Sequence, residues 1–230
     1  MVHFRQLFPK LQPKFYGMAY NSYRPSQSST PVVLNLIIIN VIVFVAQTVF
    51  DKSGLDITGG QQLGWLTSRI GLWSVDTGFF KPYQLVTTMF AHGGFMHILF
   101  NMYALWLFGS SLEKMWGPKK FLIFYFACGL AASLTQAFLV PIGFAVGASG
   151  AIMGLLAAFA YTFPNIQFYI LPIPFPIKAK YLAILYAAFD LFGQFSGFGG
   201  NIAHFAHLGG LVMGFILCLI WKKPTRNNYQ

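Results

Sequence analysis

Charge is what this chain lacks most. Of its 230 residues only 9% are charged, and only five of those are acidic. An ordinary soluble domain carries about 25% charged residues. Twenty charged side chains cannot cover the surface of a soluble protein that also holds 26 Phe. With only two cysteines, Cys128 and Cys218, a disulfide scaffold is excluded, and both read as packing or lipid-facing residues. The apolar set makes up 56% of the chain, which excludes disorder. The net charge of +10 raises the question of nucleic-acid binding. That reading fails here, because the cations collect at the ends of apolar runs, as in an oriented membrane protein.

A helix needs about 20 apolar residues to cross roughly 30 Å of hydrocarbon. Val32–Phe50 and His92–Leu112 carry no charge, and Phe121–Ile177 continues uncharged for too long to be one span. Pro141 and Gly143 divide that last run, and Pro164, Pro172, Pro174 and Pro176 close it. The expected fold is therefore an all-α bundle of six spans, at about 32–50, 92–112, 121–140, 148–163, 181–196 and 203–221. With the N-terminus inside, the inner segments hold 12 Lys and Arg and the outer ones hold Lys52, Arg69 and Lys81. That asymmetry puts both termini in the cytoplasm.

Residues 1–31 are read as a cytoplasmic tail resting on anionic lipid, and 222–230 as a second tail. The first apolar run starts too late, and runs too long, for a cleavable signal peptide. The outer segment 51–91 carries Trp65, Leu66, Ile70, Leu72, Trp73, Phe79 and Phe80. So many apolar residues suit a hairpin partly embedded in lipid, not a solvated loop.

Polar residues inside spans are costly and functional by default. The informative ones are His92, His97, Asn101, Ser149, Asp190, His204 and His207. In the alternating topology spans two, four and six all run inward, so His97 with Asn101, Ser149, and His204 with His207 meet at one depth near the outer surface. His97 and Asn101 are four apart and share a face. Gly150 with Gly154, and Gly210 with Gly214, give spans four and six small-xxx-small faces that allow close approach. If those faces pack, Ser149 and His207 come within reach. Span four covers only about 24 Å, which submerges Ser149 and calls for a water-filled cavity around it.

A Ser beside a His is the minimum for nucleophilic catalysis on an amide. Ser149 at a helix N-terminus has free N–H groups and a positive dipole for an oxyanion, and His97 and Asn101 add donors. Packing alone is the bland alternative. A zinc site lacks a His-Glu-x-x-His pair, and positions 92 and 97 lie about 140° apart on an ideal helix. A proton-relay transporter would call for inverted repeats or paired broken helices, which are not visible.

Four ordered motifs now stand together. They are His92-Gly-Gly-Phe-Met-His97-Ile-Leu-Phe-Asn101, Gly109-Ser-Ser-Leu-Glu113-Lys-Met-Trp-Gly117, Gly147-Ala-Ser149-Gly150, and Ala206-His207-Leu-Gly-Gly210-Leu-Val-Met-Gly214. In order and spacing they resemble the rhomboid intramembrane serine proteases. The resemblance implies a six-helix domain over 32–221 and a Ser–His dyad without an Asp. Ser149 would be the nucleophile and His207 the general base and acid. His97, Asn101 and the Ser149 amide would form the oxyanion hole. His92 would be structural, Glu113 would brace the inner end of span two, and Gly147, Gly150, Gly210 and Gly214 would shape the site. It implies no metal or organic cofactor. Partners would be the bilayer and the transmembrane segments of other membrane proteins, cut near the outer face after a small residue. It also suggests a minimal bacterial form in the plasma membrane, with span five and Ser196–Gly200 as a movable gate. The competing reading within the resemblance is an inactive rhomboid-like protein that binds membrane clients; such a protein would have lost the Ser or the His.

Two positions depart from the family pattern. Tyr83-Gln84 stands where a Trp-Arg pair is typical, which changes how the first loop is anchored. Met153 stands four after Ser149, where many members have an aromatic. Asp190 lies about 9 Å from the outer end of span five. It is read either as a water-bonded residue in the cavity or as a partner for His204, or for His207, that supplies the missing acid.

Overall fold

The computed structural model of the chain describes residues 30–51, 54–56, 62–169, 175–196 and 203–221, without the side chains at 54–56, 62, 190 and 193–196. The tails, the Gly-rich segment after Ser196 and the Asp190 side chain lie outside the described residues. Among the described residues six long helices run in sequence: α1 Pro31–Phe50, α2 Phe95–Trp116, α3 Pro118–Leu139, α4 Ser149–Thr162, α5 Ala179–Ser196 and α6 His204–Ile220. Helices α1, α2 and α3 are long and apolar enough to cross a membrane, and α4, α6 and the first part of α5 are shorter apolar helices. The protein is mostly helical, with three short antiparallel strand pairs among the described residues.

Helix α1 begins with Pro31, which suits a first turn whose N–H groups have no partner. Thr30 supplies no side-chain cap. Glu113 at the far end of α2 supplies it instead: Val32 N–H and Val33 N–H donate to its two carboxylate oxygens at 3.0 and 2.9 Å. An anion at a helix N-terminus is favoured by the dipole, and more so in a buried site. Glu113, in the C-terminal segment of α2, thus ties that end of the helix to the first turn of α1.

Helix α2 starts three residues later than the apolar run suggests. His92, Gly93 and Gly94 precede it, so the helical angle between His92 and His97 does not apply. Its Leu105–Gly109 stretch is a single π turn. On an unbroken α-helix, at about 100° per residue, Glu113 would point about 120° away from Asn101. One extra residue absorbed in the π turn brings that to about 20°. Both side chains are buried, Asn101 in the N-terminal part of α2 and Glu113 near its C-terminal end.

Helix α4 sits at the centre. Ten of its 14 residues are buried, and at 1.5 Å per residue it spans about 21 Å. Its glycine face meets α6 at backbone distance. A Cβ on Gly210 would lie 1.9 Å from the Gly150 carbonyl oxygen, and one on Gly214 would lie 2.5 Å from that of Gly154. On the other side a Cβ on Gly154 would meet Cys128 Sγ of α3 at 2.4 Å. Cys128 and Cys218 are free thiols buried in this packing. Lipid offers no hydrophobic drive between helices, so such contact-range packing is what holds them.

The first loop departs from a simple embedded hairpin. Strands β1 (Gly54–Asp56) and β2 (Gln62–Gly64) do form a hairpin. After it, a short helix Trp65–Ile70 is capped by Asp51, whose Oδ1 accepts Leu66 N–H and Thr67 N–H at 2.7 and 3.0 Å. Strand β3 (Leu72–Trp73) then pairs with β4 (Phe144–Ala145), the segment just before Ser149. Leu72 and Trp73 are core residues of the protein, whereas Trp65 and Phe79 are exposed. Intramolecular packing therefore accounts for part of the apolar excess of this loop.

Candidate active site

The nucleophile candidate is set by four local devices. Gly147 adopts φ +129, a conformation that side-chain-bearing residues avoid, and turns the chain into α4. Its N–H donates to Thr88 O at 2.9 Å, and Thr88 Oγ donates to Ala145 O at 2.8 Å. The β3–β4 pair and Ser74 N–H, which donates to Gly143 O at 3.0 Å, hold the rest of the approach. Ser149 opens α4, where the first N–H groups have no helical acceptor.

Ser149 Oγ lies 2.8 Å from His207 Nε2. Their closeness follows from the Gly150/Gly210 contact, one residue beyond Ser149 and three beyond His207. His97 Nε2 lies so near Gly147 that a Cβ there would be 2.8 Å away, with Ser149 Oγ at 3.6 Å from the same point. Asn101 is buried one turn below and donates Nδ2–H to His97 O at 2.9 Å, leaving its second amide hydrogen for another acceptor. The His92 ring packs edge-on against His97, with centroids 5.2 Å apart, and its Nδ1 lies 3.3 Å from Phe90 O. Met153 is one turn along α4 from Ser149 and half-buried.

Glu113 is at the opposite end of α2, capping α1. His204 is buried with its ring against Phe189 of α5, centroids 6.0 Å apart. The pairing considered for Asp190 lies outside the described residues. No cluster of three His, Cys, Asp or Glu suited to a metal occurs among the described residues.

Two buried glutamines were not anticipated. Gln84, 2% exposed, accepts from Trp73 N–H and Lys81 N–H and donates to Arg69 O and Phe79 O, at 3.1 to 3.4 Å. It ties four points of the first loop together, which answers how that loop is anchored without the Trp-Arg pair. Gln47 of α1 accepts His92 N–H at 3.0 Å and donates to His92 O at 3.2 Å and to Thr67 Oγ. An amide inside an apolar run must find partners, and that was the available signal for Gln47. A cavity of about 20 Å³ borders Ser149, lined by Met89, Gly129, Ser133 and Ala151 among others, with room for about one water.

The Rhomboid domain model matches residues 80–224. The chain belongs to the rhomboid family. Among its relatives, Rhomboid protein 1, mitochondrial, of Saccharomyces cerevisiae is 34% identical over 153 residues, covering 64% of this chain and 44% of that protein. Rhomboid protease GluP of Bacillus subtilis is 35% identical over 137 residues, covering 58% of this chain and 25% of that protein. RHOMBOID-like protein 12, mitochondrial, of Arabidopsis thaliana is 30% identical over 234 residues, covering 94% and 65%. The match thus spans under half the length of the first two. As a rhomboid with apolar helices long enough to span, the protein is an integral membrane protein. The matched region of the family model contains Ser149, His207 and both candidate oxyanion side chains, His97 and Asn101.

Proposed function

We propose that this rhomboid is an intramembrane serine endopeptidase that cuts transmembrane segments of other membrane proteins. The observation that carries the reading is the 2.8 Å contact between Ser149 Oγ and His207 Nε2 at the N-terminus of a submerged helix. Ser149 attacks the scissile carbonyl as its hydroxyl proton passes to His207 Nε2. The oxyanion is held by the Ser149 N–H, by His97 and by the second Asn101 amide hydrogen. His207 returns the proton to the leaving amine, and water then releases the acyl group by the same route in reverse. The small cavity beside Ser149 supports cleavage after a small residue.

In this reading all six long helices span the bilayer and both termini face the cytoplasm, which puts Ser149 in its outer half. The compartment adopted is a bacterial plasma membrane, in line with the bacterial relative; since other relatives are named as mitochondrial, fractionation of the native source tests it. The test of the activity is the purified full chain in lipid vesicles with a labelled single-span substrate. Wild type cleaves and is labelled at Ser149 by a fluorophosphonate, and Ser149→Ala and His207→Ala do neither. Cleavage surviving either change refutes the dyad. An unlabelled, non-cleaving wild type that still captures the substrate would support a client-binding protein instead.

A further inference from the structure

The Gln47 side chain holds the backbone of one residue on the approach to α2, His92, by both its N–H and its carbonyl. Its Oε1 accepts His92 N–H at 3.0 Å and its Nε2 donates to His92 O at 3.2 Å. The His92 carbonyl belongs to the same planar peptide as the Gly93 N–H, which points to the opposite side. That N–H donates to His97 Nδ1 at 3.3 Å. Gly93 has no side chain to fix its own orientation, and a Cβ there would touch nothing closer than 3.7 Å. The orientation of this peptide therefore depends on what its carbonyl bonds to.

A neutral imidazole has one N–H and one acceptor nitrogen, and the bond made by one nitrogen sets the role of the other. With Nδ1 accepting from Gly93, the proton of His97 is on Nε2. That is the nitrogen lying against Gly147 beside Ser149. We infer that Gln47, on the first helix, is a positioning residue that fixes His97 as the Nε2–H tautomer through the His92–Gly93 peptide. An Nε2–H can donate to an oxyanion; the other tautomer would present a lone pair and repel it.

Gln47 has a second partner that separates this role from simple bracing. Its Nε2 also donates to Thr67 Oγ, which in turn donates to Asp51 Oδ2. Thr67→Val removes that link and leaves the His92 contacts intact.

The catalytic half of the inference rests on the protease reading, and the tautomer itself does not. The first arm is therefore ¹⁵N NMR of the full chain, histidine-labelled, carrying Ser149→Ala, in lipid vesicles, with His97 assigned by difference against His97→Gln. The expected result is one tautomer with Nε2 protonated. Adding Gln47→Leu brings in the Nδ1-protonated form, and Thr67→Val does not. Should Gln47→Leu fail to fold, Gln47→Glu serves: ionised, it keeps the acceptor for His92 N–H and loses the donor to His92 O, with the same expectation. The second arm is turnover. Gln47→Leu lowers kcat about threefold to tenfold, the range for one net hydrogen bond, with KM unchanged. An unchanged His97 signal in the Gln47 variants, or an equal change in Thr67→Val, overturns the inference. A wild type that cleaves nothing refutes the protease reading alone, because the NMR arm still decides the role of Gln47.

Discussion

Gly210→Ala puts the helix spacing that builds the dyad to a direct test. The added Cβ would sit 1.9 Å from the Gly150 carbonyl oxygen and 2.7 Å from its carbon, so the obstacle is backbone and cannot rotate away. Ordinary contact begins near 3.4 Å, which requires about 1.5 Å of separation between α4 and α6. Ser149 is next to Gly150, and His207 is one turn from Gly210. A separation of that size stretches the 2.8 Å Ser149–His207 contact to about 4 Å, beyond any hydrogen bond. Misplacement by about 1 Å costs on the order of 10²-fold in rate. Gly214→Ala meets the Gly154 oxygen at 2.5 Å and needs only about 0.9 Å, roughly 6 Å further along α6, so its loss should be about tenfold. The assay is kcat on a single-span substrate in vesicles, alongside the rate of fluorophosphonate labelling and the thermal midpoint in detergent. The expected order is wild type, Gly214→Ala, Gly210→Ala in both rates. If Gly210→Ala folds and retains labelling within threefold of wild type, helix spacing does not control the dyad.

Three further outcomes follow from contacts away from the dyad. Glu113→Gln keeps one acceptor for α1 and loses the charge, costing about 1–2 kcal/mol, while Glu113→Ala strands Val32 N–H and Val33 N–H and costs about 3 kcal/mol; thermal unfolding in detergent should rank them in that order. Thr88→Val removes the hydroxyl bond to Ala145 O, at about 1 kcal/mol, and should slow labelling of Ser149 severalfold because that carbonyl lies on the approach to Gly147. Gln84→Leu removes four bonds inside the first loop and should open Arg69–Gln84 to limited proteolysis well below the unfolding temperature.

What the sequence made legible was periodic or compositional. Uncharged runs gave helix positions to within a few residues, since apolar length is what a bilayer selects. The Gly150/Gly154 and Gly210/Gly214 spacings pointed to a face-to-face contact, because small residues every fourth position have one evident use. Contacts from side chain to distant backbone leave no such pattern. Glu113 reaching Val32 and Val33, Gln84 gathering the first loop and Gln47 holding the His92 backbone are each single residues, with partners 80, 45 or, for Gln84, 3 to 15 positions away at no fixed spacing. Trp73 misled for a related reason: an aromatic in an outer loop looks the same whether it faces lipid or, as here, packs beneath Phe144 with centroids 4.7 Å apart. The start of α2 was missed because an uncharged run does not reveal that Gly93-Gly94 keeps His92 outside the helix.

The π turn in α2 bears on how the length of this helix can change over generations. Losing one residue from a membrane helix ordinarily swings everything beyond the loss through about 100°. Within Leu105–Gly109 the chain carries one residue more than an α-helix needs. Deleting one there would convert the turn to ordinary helix and leave the acid of position 113 about 20° from the direction of Asn101, where it already is. The same deletion at Leu99 or Phe100 would turn the outer end of α2 against its inner end. A single-residue gap in this helix should therefore be survivable at one address, and the spare residue marks it.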